Sequence, residues 1–505
     1  MIWYNVNMKR IAVGLAALTF QCLAWGEVAA PLVKDVVFTS PAGEFAGADA
    51  ARTVTYPIAN KALPKGKPGR LSVRIRARAT DDDTELVEFG IRQRDGKTWG
   101  STSVPLSTEW RELVVPLDEL DPFTHWHGHP AVAADECPDP SLFTSIHFCF
   151  GRWLCARTVK KSHGFEIAFV RLESLSDGSA SGARNHSLRE FPRLPGETDD
   201  SPRFQRAIGS CAGTVLRVPR GTYELATSLF ICNACSLELD KGAVLKAVKP
   251  MGVVLDIDAR GFRKLRDHGQ FVRSGVIDGN GLAAGLRIRC PEHYTLADVQ
   301  ILNGKGYGLR VDGGCELIAN NLYFRCYLKG LAGNSAIYVN GGDSHYTDCI
   351  MIDYTYGVHQ VGGGSNRYTR CHVCGGPVRE MLEGSVNFKL AGGASTILRD
   401  CYADTGKIGY EIGAWDTRLL GCSYFNNKAF KLDDVTIIRH TNGRLLVADG
   451  AFCKNMPRTR VYEGTGEVEW RDMTYSGFSE GDDCPGALRY TRRSGTDQQA
   501  LKLAD

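Results

Sequence analysis

Five cysteines, Cys326, Cys349, Cys371, Cys401 and Cys422, recur at intervals of 23, 22, 30 and 21 residues. A period near 22 exceeds that of any single helix or strand pattern and marks a stack of similar coils. The phrase around the cysteines repeats as well: a polar stretch, an apolar residue or Cys, a loop, then small-apolar-x-apolar. It reads Tyr307-Gly308-Leu309-Arg310-Val311, Ser335-Ala336-Ile337-Tyr338-Val339 and Tyr356-Gly357-Val358-His359-Gln360. It continues as Gly384-Ser385-Val386-Asn387-Phe388-Lys389, Ile408-Gly409-Tyr410-Glu411-Ile412 and Lys428-Ala429-Phe430-Lys431-Leu432. Short alternating strands with Gly or Asn at the corners describe a parallel β-helix, whose coils pair at a spacing of roughly 4.8 Å. The cysteines then form an inward ladder of small hydrophobes that need no bonding.

The remainder of the 505 residues fits an exported all-β protein. Sixty Lys and Arg against 57 Asp and Glu leave a net charge of +3, which argues against a broad nucleic-acid surface. Lys9 and Arg10 precede the apolar run Ile11 to Leu23, and Ala24-Trp25-Gly26 offers a small-x-small cleavage site. Residues 1–26 therefore read as a signal peptide, too short for a membrane span, and predict a periplasmic or secreted protein. Export also opens the possibility of disulfides among the cysteines that remain.

Residues 34–175 contain strand-like runs at Arg70 to Arg78, Glu85 to Gln93, Arg111 to Leu117 and Ser145 to Phe150, with a hairpin turn at Arg94-Asp95-Gly96-Lys97. They predict a β-sandwich resembling secreted carbohydrate-binding modules, with a structural cap as the other reading. Trp99, Trp110, Trp126 and Trp153 lie there, either stacking on sugars or filling a core. Residues 176–198 read as a linker, 199–470 as the β-helix and 471–505 as a cap and tail.

Thr198-Asp199-Asp200-Ser201-Pro202-Arg203-Phe204-Gln205-Arg206-Ala207-Ile208 has the pattern of an amphipathic capping helix. Gly213-Thr214-Val215-Leu216-Arg217-Val218-Pro219-Arg220-Gly221-Thr222-Tyr223 follows, and later Gly275-Val276-Ile277-Asp278-Gly279-Asn280-Gly281. Together these resemble the pectate-lyase-like superfamily. The resemblance implies a right-handed parallel β-helix and a carbohydrate-active protein, without choosing among lyases, hydrolases, esterases and non-enzymes.

In the small-apolar-x-apolar frame the x residue points outward. Aligning the coils gives one outward column of Arg310, Tyr338, His359, Asn387, Glu411 and Lys431, and a second that includes Asp312, Asn340 and Lys389. A solvated polar ladder is the plainer reading. His, Tyr and Lys together suit β-elimination on an acidic polysaccharide, which needs a base, a carboxylate-binding group and an acid for the leaving oxygen. The expected roles are His359 as base, Lys389 and Asn387 on the carboxylate with Arg310 and Asn340 in support, Tyr338 as acid and Glu411 as orienting group. Lys389 and His359 can exchange roles.

Asn387-Phe388-Lys389-Leu390-Ala391-Gly392-Gly393 resembles the segment that bears the catalytic Lys in certain calcium-dependent pectate lyases. Val386 and Asn387 stand where that comparison calls for acids, so no calcium or other cofactor is expected. A glycoside hydrolase needs two carboxyl groups, with Glu411, Asp433, Asp434, Asp353 and Asp404 as candidates and Glu411 with Asp433 as the pair. A non-catalytic glycan-binding β-helix is the third reading. Cys232-Asn233-Ala234-Cys235 and Cys371-His372-Val373-Cys374 suggest zinc by spacing alone, but ladder or disulfide cysteines explain them better in a β-helix. His125-Trp126-His127-Gly128-His129, with Asp135 and Glu136, reads as a polar surface loop.

Overall fold

A computed structural model describes residues 30–44, 51–58, 71–82, 84, 86–117, 120–122, 138–151, 161–174, 185–259, 269–314, 316–479, 482–485, 487–494 and 497–501. The signal-peptide segment, the His125 to His129 cluster, Asp135, Glu136, Trp126 and Trp153 lie outside the described residues. The chain divides into two compact units, residues 1–100 with 106–180 and residues 101–105 with 181–505.

In the first unit the alternation of Leu71–Ala79 sets the pattern. Leu71, Val73, Ile75, Ala77 and Ala79 are buried, while Arg74 and Arg78 on the other face pair with Glu173 and Glu166. A strand of period two with one apolar face must bury that face against a second layer. The strand belongs to a four-stranded sheet ordered Val33–Thr39, Gly164–Ser174, Leu71–Ala79, Arg111–Pro116. A five-stranded sheet runs Ala51–Pro57, Phe143–Gly151, Leu86–Gln93, Thr98–Pro105, Asp121–Pro122. Phe148 of one sheet meets Phe165 of the other with ring centroids 5.6 Å apart, the contact of a sandwich core. The hairpin turn forms, with the Gln93 amide on the Lys97 carbonyl and Gly96 at φ +90°. Trp99 is wholly buried and is a core residue. Trp110 is exposed, and the Arg78 guanidinium lies 4.7 Å from its ring centre.

The second unit is the parallel β-helix. Three sheets of 10, 12 and 13 strands run its length, the last closed by an antiparallel pair, Ala487–Ser494 and Asp497–Leu501. The helix Ser201–Ser210 buries Phe204, Ala207 and Ile208, and Phe204 packs edge-on to Tyr223 of the first coil. Strand pairing begins before that helix: His186–Ser187 already pairs with Leu216 and Arg217, inside the stretch expected to be a linker. Among the described residues no helix is long and apolar enough to cross a membrane.

A repeated corner sets the coil. Asp298, Asn321, Asp348, Asp400, Asp449 and Asp472 all adopt left-handed φ between 51° and 60°, a conformation Asn and Asp tolerate better than other residues with side chains. Arg370 and Gly421 hold the same corner at φ 50° and 64°, and the residue after the corner turns inward in most coils, giving the ladder Leu322, Cys349, Cys371, Cys401, Cys422, each at most 1% exposed. The Cys349, Cys371 and Cys401 carbonyls each accept the amide of the strand that follows in the next coil. The expected ladder is therefore real for four cysteines. Cys326 does not belong to it: it follows Tyr323–Arg325, and its amide donates to Ile352 O, so Leu322 holds the ladder position in that coil. The four ladder cysteines are free thiols.

Candidate functional site

The 10-stranded sheet carries the residues in question on Tyr307–Asp312, Ser335–Asn340, Tyr356–Gln360, Val386–Leu390, Ile408–Ile412, Asp434–His440 and Arg458–Gly464. Parallel register stacks Arg310, Tyr338, His359, Lys389, Glu411, Arg439 and Glu463 as successive rungs. Their inward neighbours explain the spacing. Val358, Phe388, Tyr410 and Ile438 form the buried ladder one residue earlier, with Phe388 and Tyr410 stacked at 5.3 Å, so the x residue must face out.

This register corrects the expected columns. Lys389, not Asn387, stands between His359 and Glu411. Asn387 occupies the small position of its coil, level with Gly357 and Gly409; it is 2% exposed, and its amide donates to the Val373 and Asp404 carbonyls. A Cβ on Gly357 would come within 2.2 Å of Val373 Cγ1, which shows how tightly this corner packs. Asn387 is therefore a structural residue. Lys431 is also off the column: it caps a short 3-10 turn at φ +50°, and Arg439 holds the rung. Asp433 lies off the strand and is exposed, so it does not pair with Glu411. Asp434 is engaged by Arg458 at 3.2 Å.

Arg310 contacts Asp312 through Nε at 2.8 and 2.9 Å, and Asp312 also receives Arg287 at 2.8 Å. Its guanidinium lies 5.0 Å from the Tyr338 ring centre, so it braces Tyr338 and is not free for a substrate. Asn340 is exposed at the end of its strand, two residues beyond Tyr338 and in register with Asp312. Asp353 and Asp404, the other acidic candidates, are buried and do not join the column.

His359 sits between two tyrosines, edge-on to Tyr338 at 5.3 Å and tilted against Tyr356 at 4.9 Å. Among the described residues its ring nitrogens have no hydrogen-bond partner. Burial, reinforced by the Lys389 ammonium and opposed by Glu411, holds its pKa below the usual histidine value. Lys389 Nζ lies 4.7 Å from the Tyr356 ring centre and 3.5 Å from Glu411 Oε1. Arg439 continues the chain of charge, 3.6 Å from Glu411 and 3.3 Å from Glu463.

Beside these rungs runs a groove of about 760 Å³ lined by Tyr356, Lys389, Lys407, Glu411, Arg439 and Glu463 together with Arg458 and Arg460. His359 and Tyr338 continue the same face beyond its Tyr356 end. Among the described residues Lys407 has no ion-pair partner. Tyr356, Arg439 and Lys407 were absent from the sequence expectation. The phrase Ile437-Ile438-Arg439-His440 carries the x-position signal for Arg439, hidden because the preceding coil holds an extra turn at Lys428–Phe430.

No protein-family model and no curated protein matches the sequence. Among solved structures, endo-xylogalacturonan hydrolase from Aspergillus tubingensis is similar at 12% identity and a TM-score of 0.41, covering 62% of this chain and 100% of that one. The enzymatically active domain of tailspike protein 2 of bacteriophage CBA120 aligns at 11% identity and a TM-score of 0.43, covering 62% and 48%. PfbA, a surface adhesin of Streptococcus pneumoniae, aligns at 11% and 0.38, covering 63% and 100%. Likeness at this level concerns the coil architecture and does not bear on the reaction.

Proposed function

We propose that the outer face of the 10-stranded sheet binds an acidic polysaccharide and cleaves it by β-elimination at a uronic-acid residue. The observation that carries this reading is His359: an imidazole kept neutral, with unpaired nitrogens, flanked in register by an ammonium and a phenol. His359 takes the proton α to the uronate carboxylate. Lys389, one rung away, holds that carboxylate and stabilises the charge that develops on it. The bond from ring carbon 4 to the glycosidic oxygen breaks as the ring double bond forms, and Tyr338 on the other side of His359 gives its proton to the leaving oxygen. Glu411 holds Lys389 and Arg439 in place, and Lys407 supplies a further cation to a neighbouring uronate. No metal is invoked, and the leader-like segment at residues 1–26 accords with a substrate met outside the cytoplasm.

A hydrolase reading has one observation in its favour. Glu411 and Glu463 stand two rungs apart, roughly 9.6 Å at ~4.8 Å per strand, near the upper end of the carboxyl separation of inverting enzymes. Arg439 bridges both carboxylates and takes the space where the attacked bond would have to lie.

The test is incubation with uronate-containing and neutral polysaccharides, following ultraviolet absorbance of an unsaturated product alongside new reducing ends. Both signals are expected to rise together, and His359→Ala to lower kcat by about 10²–10⁴-fold. Reducing ends without absorbance would overturn elimination and direct attention to Glu411 and Glu463. Binding without either signal would leave only the glycan-binding reading.

A further inference from the structure

We infer that His372, Cys374 and Asp404 form a site for one zinc-class divalent cation on the outer face of the 13-stranded sheet, on a different sheet from the groove. His372 and Cys374 are two residues apart on the strand His372–Cys374 and so share a face. Asp404 is in register with Cys374 on the next coil. The sequence motif Cys371-His372-Val373-Cys374 is thus divided by the strand: Cys371 goes to the buried ladder, and the pair that matters is His372 with Cys374.

The three ligand atoms lie within 4.8 Å of one another. Cys374 Sγ is 3.4 Å from Asp404 Oδ2, and His372 Nε2 is 3.6 Å from the same oxygen. Tetrahedral zinc with bonds of about 2.0 Å to N and O and 2.3 Å to S sets its ligands roughly 3.3–3.6 Å apart. The two distances to Asp404 already match that spacing, and His372 and Cys374 stand within 4.8 Å of each other.

Three further features prepare the site. His372 Nε2 is buried from solvent and has no hydrogen-bond partner, an unsatisfied group that a bound cation would satisfy. The His372 ring is stacked on Tyr402 at 4.7 Å and 18°, and Tyr402 on Phe425 at 5.3 Å, so its direction is set. Asp404 Oδ1 is occupied by the Thr405 hydroxyl, which leaves Oδ2 for the metal and supplies the outer hydrogen bond typical of ligating carboxylates. The His372 side chain is 32% exposed, so the site lies near the protein surface. A sulfur, nitrogen and oxygen set suits zinc and cobalt and not calcium or magnesium, which take oxygen ligands.

The test is titration of the EDTA-treated full-length chain with Co²⁺ and then Zn²⁺. One equivalent of Co²⁺ is expected to produce a near-ultraviolet thiolate-to-metal band that Zn²⁺ abolishes. Cys374→Ser is expected to remove the band, and His372→Gln and Asp404→Asn each to weaken binding at least tenfold. Cys453→Ser, at another partly exposed thiol, is expected to leave it intact. Circular dichroism of the metal-free variants establishes that they fold, and His372→Gln decides the matter if Cys374→Ser does not. Absence of the band in the wild-type chain, or its survival at full strength in Cys374→Ser or His372→Gln, overturns the site.

Discussion

Lys389 and Glu411 face each other on neighbouring coils, Nζ 3.5 Å from Oε1, and Glu411 is shared with Arg439 at 3.6 Å. One carboxylate thus holds two cations over the groove. Both side chains of the Lys389 pair are about one-fifth to one-quarter exposed, so the pair lies between the surface and buried regimes. Its main effect is on position, since two long side chains in register are kept from folding back onto the sheet.

Glu411→Gln is expected to cost only ~1 kcal/mol of stability but to reduce turnover of an acidic polysaccharide much more than that figure suggests, because both cations lose their anchor. Thermal melting and kcat/KM measured on the same preparation separate the two effects. A loss of activity that merely followed the loss of folded protein would deny Glu411 a positioning role.

The pH dependence follows from His359. Burial and Lys389 lower its pKa, and Glu411 acts in the opposite sense. A base of this kind works when neutral, so the acid limb of activity falls below the ordinary histidine value of ~6.5. Lys389→Met removes a lowering charge and is expected to raise the His359 pKa, whereas Glu411→Gln is expected to lower it; NMR titration of the ring reads both. The stability sign agrees: with the folded pKa depressed, the unfolded chain binds more protons. The contribution is complete above ~6.5 and is lost as pH falls through the folded value. His440, also lowered by burial, acts in the same direction.

Asn387→Ala is expected to behave as a core change. It leaves the Val373 and Asp404 carbonyls without the amide that now reaches them, a cost of about 1–3 kcal/mol, with kcat and KM of the folded protein unchanged. Urea unfolding together with kinetics at a temperature well below the melt distinguishes this from the substrate-binding role that the sequence pattern suggests.

The coil architecture is legible in the sequence because most coils repeat the same corner chemistry: an Asp or Asn that accepts left-handed φ, with Arg370 and Gly421 in its place before Cys371 and Cys422, then an inward residue. Tyr338, His359, Lys389 and Glu411 are recoverable as outward residues for the same reason. What fails is register within a coil. Asn387 fills a place held by glycine in the coils on either side, so the pattern small-apolar-x-apolar slips by two residues there and exchanges Asn387 with Lys389. The extra turn at Lys428–Phe430 displaces Lys431 in a similar way and hides Arg439. Cys326 shows the opposite hazard, a residue at the right interval but one corner away from the ladder. In each instance the deciding information is a contact between coils, which a single strand's pattern does not contain.

The thiol ladder offers the last prediction. Cys371, Cys401 and Cys422 direct Sγ toward the carbonyls of Tyr346, Tyr368 and Leu398 on the preceding coil, at 3.4, 3.3 and 3.5 Å. Each thiol is a small hydrophobe whose one weak donor is satisfied by the neighbouring coil. Alkylation of the native chain is expected to spare Cys349, Cys371, Cys401 and Cys422, and alkylation in denaturant without reductant to label all four. Peptide mapping by mass spectrometry reads the result, and labelling that required prior reduction would show bonded cysteines in their place. Cys371→Val keeps apolar volume at the cost of the weak donor, so a loss below ~1.5 kcal/mol is expected. Cys371→Asp, by contrast, puts a carboxylate among fully buried side chains and is expected to prevent folding of the coil stack.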